Sequence, residues 1–188
     1  AQQLYEETIA HFGFPDVLIN NAGIAISSSV NTDADFWNSS WNKTLNVNLA
    51  APAYLSKCFI NIKRNKNIHS RFRIINISSR AAFRGETEDY ISYACSKGGM
   101  VSLTKTIARS FGKKDNVLAF TIAPGFVKTE MIKDFLNKEG ENYIKKGIVL
   151  DRLTEPKDIS PVVSLIVSGK LDHATGSTID INGGSYLR

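Results

Sequence analysis

Tyr93 and Lys97 stand four residues apart, with Ser79 upstream of them. A phenol is a poor acid–base group at neutral pH, because its pKa is about 10. A lysine one helical turn further on shares its face, and its positive charge would lower that value. A nearby serine hydroxyl can hold a carbonyl oxygen in the same place. The three side chains together point to proton transfer to or from a carbonyl or alcohol oxygen. The chain has 6 Tyr, and at about one Lys per twelve residues roughly half a Tyr-x-x-x-Lys match arises by accident. The elements around the pair must therefore decide whether the spacing means anything.

Those elements read as strands with polar carboxyl ends. The run Arg73-Ile74-Ile75-Asn76-Ile77-Ser78-Ser79 is a buried-strand pattern closed by two hydroxyls. Asp16-Val17-Leu18-Ile19-Asn20-Asn21-Ala22-Gly23 and Ala119-Phe120-Thr121-Ile122-Ala123-Pro124-Gly125 repeat it, each ending in polar or small residues. Tyr93 and Lys97 open a helix of small residues. Strands of this kind alternating with helices predict an α/β fold with a parallel sheet, in which ligands collect at the carboxyl ends of the strands. The pattern places helices over residues 2–12, 33–43 (capped by Asp33 or Thr32 and leading into a long helix to about 64), 91–111 and 156–168. A helical excursion covers 129–146, and strands cover 16–20, 71–77, 116–122 and 177–181. Leu4, Tyr5, Thr8, Ile9 and Phe12 form one side of the first helix.

The segments Asn20-Asn21-Ala22-Gly23, Asn46-Val47-Asn48-Leu49, Ile77-Ser78-Ser79, Tyr93-x-x-x-Lys97 and Pro124-Gly125 occur in one order. That order and spacing resemble the short-chain dehydrogenase/reductase (SDR) family. Gly176-Ser177-Thr178-Ile179-Asp180-Ile181-Asn182-Gly183-Gly184 is similar to that family's last strand, so the likeness covers the whole chain. The resemblance implies a Rossmann-like doubly wound sheet of order 3-2-1-4-5-6-7, of which this chain carries strands 4 to 7 in a single domain. It implies an NAD- or NADP-dependent oxidoreductase acting on a small carbonyl or alcohol substrate, with 3-oxoacyl-carrier-protein reductases as the group nearest in kind.

Residue by residue, the resemblance implies Tyr93 as acid/base and Lys97 as its partner, both also cofactor contacts, with Lys97 holding the nicotinamide ribose. Ser79 binds the substrate oxygen. Ser78 competes for that role, because Ser79 stands one residue farther from Tyr93 than the family's usual spacing. Asn48 belongs with the catalytic group, its carbonyl ordering a water toward Lys97; taken alone it reads equally as a buried Asn bonded to its own helix. Asn20, Ala22 and Gly23 correspond to a cofactor contact, although Asn-Asn-Ala-Gly would also make an ordinary turn. Pro124, Gly125, Val127 and Thr129 correspond to the nicotinamide end. Residues 126–153 correspond to a substrate lid, in which Phe126, Met131, Ile132, Phe135 and Leu136 either line an apolar pocket or pack the lid itself. The family assembles as tetramers or dimers through the 91–111 helix and the final strand.

The family's first strand and its glycine-rich phosphate-binding turn have no counterpart in this sequence. Roughly 70–80 residues, at about 30 per βα unit, would carry them. The expectation is a carboxyl-terminal part of a dehydrogenase whose first strand has a bare edge prone to aggregation or to pairing with another chain. The competing reading is a non-catalytic SDR fragment or interaction module that binds no cofactor on its own. The choice between NAD and NADP is made by a residue outside the segments matched here.

The 188 residues, 43% hydrophobic and 22% charged, suit one globular domain with a substantial core. No apolar run is long enough to span a bilayer. Cys58 and Cys95 have neither metal-ligand nor disulfide-framework spacing, which fits a reducing, cytoplasmic setting. Cys95 is expected as a small packed residue turned away from Tyr93. The net charge of +5 is densest between Lys63 and Arg73, a helix-to-strand connection at the opposite end of the sheet from the site. This fits a solvated connection better than a nucleic-acid surface. His11, His69 and His173 fall in separate elements without partners at ligand spacing, so no metal site is expected.

Overall fold

The apolar runs do become strands. In the computed structural model, which describes residues 2–188 apart from the side chain of Asp134, β1 (Val17–Asn20), β2 (Phe72–Ile77), β3 (Val117–Pro124) and β4 (Thr178–Ile181) form one parallel sheet. Their order is β1-β2-β3-β4. The register sets Ile19 beside Ile75 and Ile75 beside Phe120; β4 joins with Thr178 beside Thr121. β3 runs two residues past the expected end, to Pro124. β1 pairs only with β2 among the described residues, and Ile19 on it is 44% exposed.

Successive strand residues point to opposite faces, so the continuous apolar runs supply two cores. Phe72, Ile74, Val117 and Ala119 pack on one face against Phe59, Ile60 and Ile62 of α3 (Ala51–Asn65) and Ile107 of α5 (Ile91–Asp115). Ile75, Leu118, Phe120 and Ile122 pack on the other against Ile166 of α8 (Pro156–Val167). Both faces carry helices, as a doubly wound sheet requires, although Ile19 of β1 stays open to solvent. α1 (Gln2–Phe12) adds Tyr5 and Ile9 to the first core, but Leu4 and Phe12 are exposed, so its expected apolar side is only half used.

α5 shows how the fold makes a site. Its buried residues are Ser92, Ser96, Lys97, Met100, Val101, Thr104 and Ile107, spaced three or four apart as one inward face of a helix. That face is polar near the carboxyl ends of the strands and apolar beyond. Midway it carries a buried polar chain across the sheet. Asn20 Nδ2 donates to Asn76 Oδ1 (2.7 Å), Asn76 Nδ2 donates to Thr104 Oγ1 (2.8 Å), and Thr121 shares the same hydroxyl (2.8 Å). Buried amides and hydroxyls satisfied in this way fix the strands' mutual position.

α2 (Ala34–Leu45) starts as expected, with the Asp33 carboxylate accepting from Phe36 N. Between it and α3 lies a π-helical turn, Asn46–Ala50, in which Ala51 N donates to Asn46 O. Pro52 has no N–H to offer the Asn48 carbonyl four residues back, and the wider turn accommodates this. The expected excursion over 129–146 is three short pieces rather than one: a 3-10 turn at Glu130–Ile132, α6 (Lys133–Glu139) and α7 (Glu141–Lys145). Gly140 (φ 77°) breaks the last two apart. α4 (Ala81–Arg84) completes the set. No helix among the described residues is long and apolar enough to cross a membrane. The basic stretch is largely tied into structural pairs. Lys63 Nζ donates to the carbonyls of Ile68 and Ser70, Arg64 pairs with Asp115, and Arg71 and Arg73 both hold Asp172.

Candidate active site

β2 ends where the site begins. Ser78 continues the sheet, its N–H donating to Ile122 O (2.8 Å), and its hydroxyl donates to Lys97 O (2.8 Å). That bond ties β2 to α5 and leaves Ser78 no hydroxyl proton for a ligand. Ser79 turns the other way. Its Oγ accepts from Ala81 N (3.1 Å) and lies within hydrogen-bonding reach of the Tyr93 hydroxyl.

α5 presents Tyr93 and Lys97 on one face, Lys97 Nζ lying 5.7 Å from the Tyr93 ring centre. The ammonium is buried and donates to Ile77 O (2.9 Å). A methyl group at Gly23 would stand 3.3 Å from that nitrogen and 3.5 Å from Asn48 Oδ1, so the bare glycine leaves the space beside the ammonium open.

Asn48 is fully buried. It does not bond its own helix. Oδ1 accepts from Ile24 N (2.8 Å), and Nδ2 donates to Ile24 O (2.8 Å) and Ser96 Oγ (3.0 Å). Ser96 Oγ in turn donates to Tyr93 O (2.7 Å). The amide thus clamps the chain after β1 to the first turns of α5, a role that no local pattern signals.

The electrostatics differ from the sequence expectation. Burial pulls Lys97 down to about 8, because an ammonium loses hydration and gains no anion. Burial also pushes Tyr93 above its ordinary value; the Ser79 hydrogen bond and the nearby Arg80 guanidinium pull it back, and Glu86 adds to the rise. The net direction for Tyr93 is upward, against the lowering expected from the sequence. The correction follows from desolvation, which penalises the phenolate more than the adjacent polar groups favour it.

The fold brings Asn48, Ser79, Tyr93, Lys97 and Gly23 together at the carboxyl ends of β1 and β2. Ala22 is exposed beside them, while the Asn20 side chain turns inward to the sheet. Pro124 is buried at the end of β3, where its carbonyl accepts from Arg80 N (3.0 Å). A methyl at Gly125 would lie 3.0 Å from Asn182 Cα and O. Val127 and Thr129 follow that turn; Thr129 Oγ1 donates to Val127 O (3.2 Å), and no hydrogen bond among the described residues links them to Tyr93 or Lys97. In the 126–153 segment Phe126 stacks on Phe135 (5.2 Å), which meets Tyr143 edge-on, whereas Met131 is exposed. Cys95 is exposed rather than packed. Arg80 was not among the residues the sequence singled out. Its only signal was a charged residue directly after a strand-ending Ser-Ser.

A doubly wound parallel sheet that sets a Tyr-x-x-x-Lys helix against a serine-ended strand has the plan of a dehydrogenase or reductase. A family model described as enoyl-(acyl carrier protein) reductase matches residues 1–186. The chain is 34% identical over 177 residues to the 3-oxoacyl-[acyl-carrier-protein] reductase FabG of Buchnera aphidicola subsp. Baizongia pistaciae, covering 94% of this chain and 69% of that one. It is 29% identical over 188 residues to human dehydrogenase/reductase SDR family member 4, of which it spans 65%. A 4-hydroxyisoleucine dehydrogenase complexed with NADH superimposes with a TM-score of 0.86 at 31% identity, over 98% of this chain and 73% of that one. The chain belongs to the short-chain dehydrogenase/reductase family and is an oxidoreductase of that type.

Proposed function

We propose that this protein is an NAD(P)-dependent oxidoreductase that interconverts a secondary alcohol and a ketone. The observation that carries the reading is the buried Lys97 ammonium 5.7 Å from the Tyr93 ring centre on one face of α5, with Ser79, at the end of β2, near enough to act on the phenol. Ser79 hydrogen-bonds the substrate oxygen. Tyr93 gives its proton to that oxygen in reduction and takes it back in oxidation. Its raised pKa keeps the phenol protonated near neutrality, which suits the donor role.

Support for the cofactor comes from the donor set. Lys97 Nζ carries three N–H groups, of which one goes to Ile77 O, and it faces the space left open at Gly23. Such a donor fits the vicinal hydroxyls of the nicotinamide ribose. Ala22 and Gly23 then border the ribose, and Pro124, Gly125, Val127 and Thr129 the carboxamide end. The bound nicotinamide supplies or accepts the hydride. Asn48 and Ser96 hold the loop after β1 against the start of α5, which keeps Gly23 beside the Lys97 ammonium. Residues 126–153 form a lid whose aromatic cluster of Phe126, Phe135 and Tyr143 packs it over the substrate. The 3-oxoacyl-carrier-protein reductases among the relatives are one instance of this reaction class. The same reading places the protein in the cytoplasm as a homo-oligomer built on α5 and β4.

Tyr93→Phe tests the proposal. Turnover is expected to vanish while cofactor affinity, followed by nicotinamide fluorescence, stays nearly unchanged. Retained turnover would remove Tyr93 as the acid/base.

A further inference from the structure

Arg80 follows Ser79 directly, and only 8% of it is exposed. A buried guanidinium is ordinarily paired, because removing it from water without a partner is costly. Here no hydrogen bond or ion pair engages the guanidinium among the residues whose side chains are described, and the little solvent contact the residue keeps reaches its nitrogens. Glu86 is close enough to influence it, yet that carboxylate is held by Arg84 at 2.6 Å. What Arg80 does have is the ring of Phe126, whose centre lies 4.4 Å from its Cζ. An aromatic ring covering one face of a guanidinium leaves its N–H edges for a ligand. Arg80 adjoins Ser79 in the chain, and its charge acts on the Tyr93 phenol, so the guanidinium belongs to the same end of the sheet as the reacting hydroxyls.

We infer that Arg80 is a carboxylate-binding residue of the substrate site, and that the substrate is a hydroxy or oxo acid whose free carboxylate lies a few carbons from the reacting carbon. The inference rests on Tyr93 and Ser79 being the reacting centre, and deepens that reading by naming the substrate's charge. A planar carboxylate accepts two parallel N–H bonds from a guanidinium edge and supplies the charge that the protein withholds. An acyl thioester is uncharged at this position and would leave Arg80 unpaired. The geometry therefore favours a free acid over a carrier-bound acyl chain.

The test uses the full-length protein. Calorimetric titration with butyrate and its uncharged isostere butyramide should show butyrate binding about tenfold or more tightly. Arg80→Met should bring the two level, and Arg80→Lys should keep part of the difference. Equal binding of the two by the wild type, a preference that survives Arg80→Met, or inorganic phosphate binding more tightly than butyrate would each overturn the inference.

Turnover of 2-, 3- and 4-hydroxyvalerate against their methyl esters, with NAD or NADP, should favour one of the acids in kcat/KM by about 30-fold or more. That ratio should collapse in Arg80→Met, mainly through KM. Preference for the esters would overturn the carboxylate assignment and leave the oxidoreductase reading intact. Arg80-dependent butyrate binding with no turnover of any acid or ester would do the reverse: it would support the anion site and count against the reaction.

Discussion

Replacing Lys97 by Met removes a buried charge without a large change of volume, and the consequence depends on pH. The ammonium titrates at about 8 in the folded protein, against about 10.4 in an unfolded chain. At 1.36 kcal/mol per unit, holding it charged in the fold costs about 3 kcal/mol at neutral pH. Between the two values the unfolded chain binds more protons than the folded one, so stability rises with pH in that window. The penalty is fully present below a pH of about 8 and has faded by about 10.4. Lys97→Met escapes it at every pH but forfeits the 2.9 Å bond to Ile77 O, a roughly constant loss of about 1 kcal/mol.

The variant's advantage should therefore shrink by about 2 kcal/mol between about pH 7 and about pH 9.5. Urea unfolding of both proteins at the two pH values measures this. With slopes of about 1–3 kcal/mol per molar, the gap between midpoints should change by about 1 M. Titrations common to both proteins cancel. A gap that stays constant over this range would show that the ammonium is not desolvated in the fold, and the electrostatic account of Lys97 would be wrong. The same variant should be inactive, so the residue trades stability for function.

Two further substitutions test how the site is held. Gly125→Ala places a methyl 3.0 Å from Asn182 backbone atoms; β4 must shift, and thermal unfolding should register a loss of about 1–3 kcal/mol. Asn48→Ala strips partners from both backbone groups of Ile24 and from Ser96. It should cost about 3 kcal/mol and should expose the Ile24 amide to hydrogen exchange well before the amides of β2 and β3 exchange.

The four strands and the principal helices were legible because their signals are local. Apolar runs closed by Asn20, Ser79 and Pro124, the Asp33 cap and the four-residue step from Tyr93 to Lys97 depend only on neighbours along the chain. The tertiary structure decided what depends on burial and on distant partners. Ser78 and Ser79 are chemically alike, and only the approach of α5 hands one hydroxyl to Lys97 O and turns the other toward Tyr93. Asn48 finds partners 24 and 48 residues away in the chain, beyond any periodicity. The π turn around it was foreshadowed only by Pro52. Tyr93 titrates upward rather than downward, and Arg80 emerges as a buried guanidinium, because both properties come from exclusion of water. Residue type and spacing select which groups can meet; desolvation, which exists only once the sheet and its helices have closed over them, sets their charge and what they can hold.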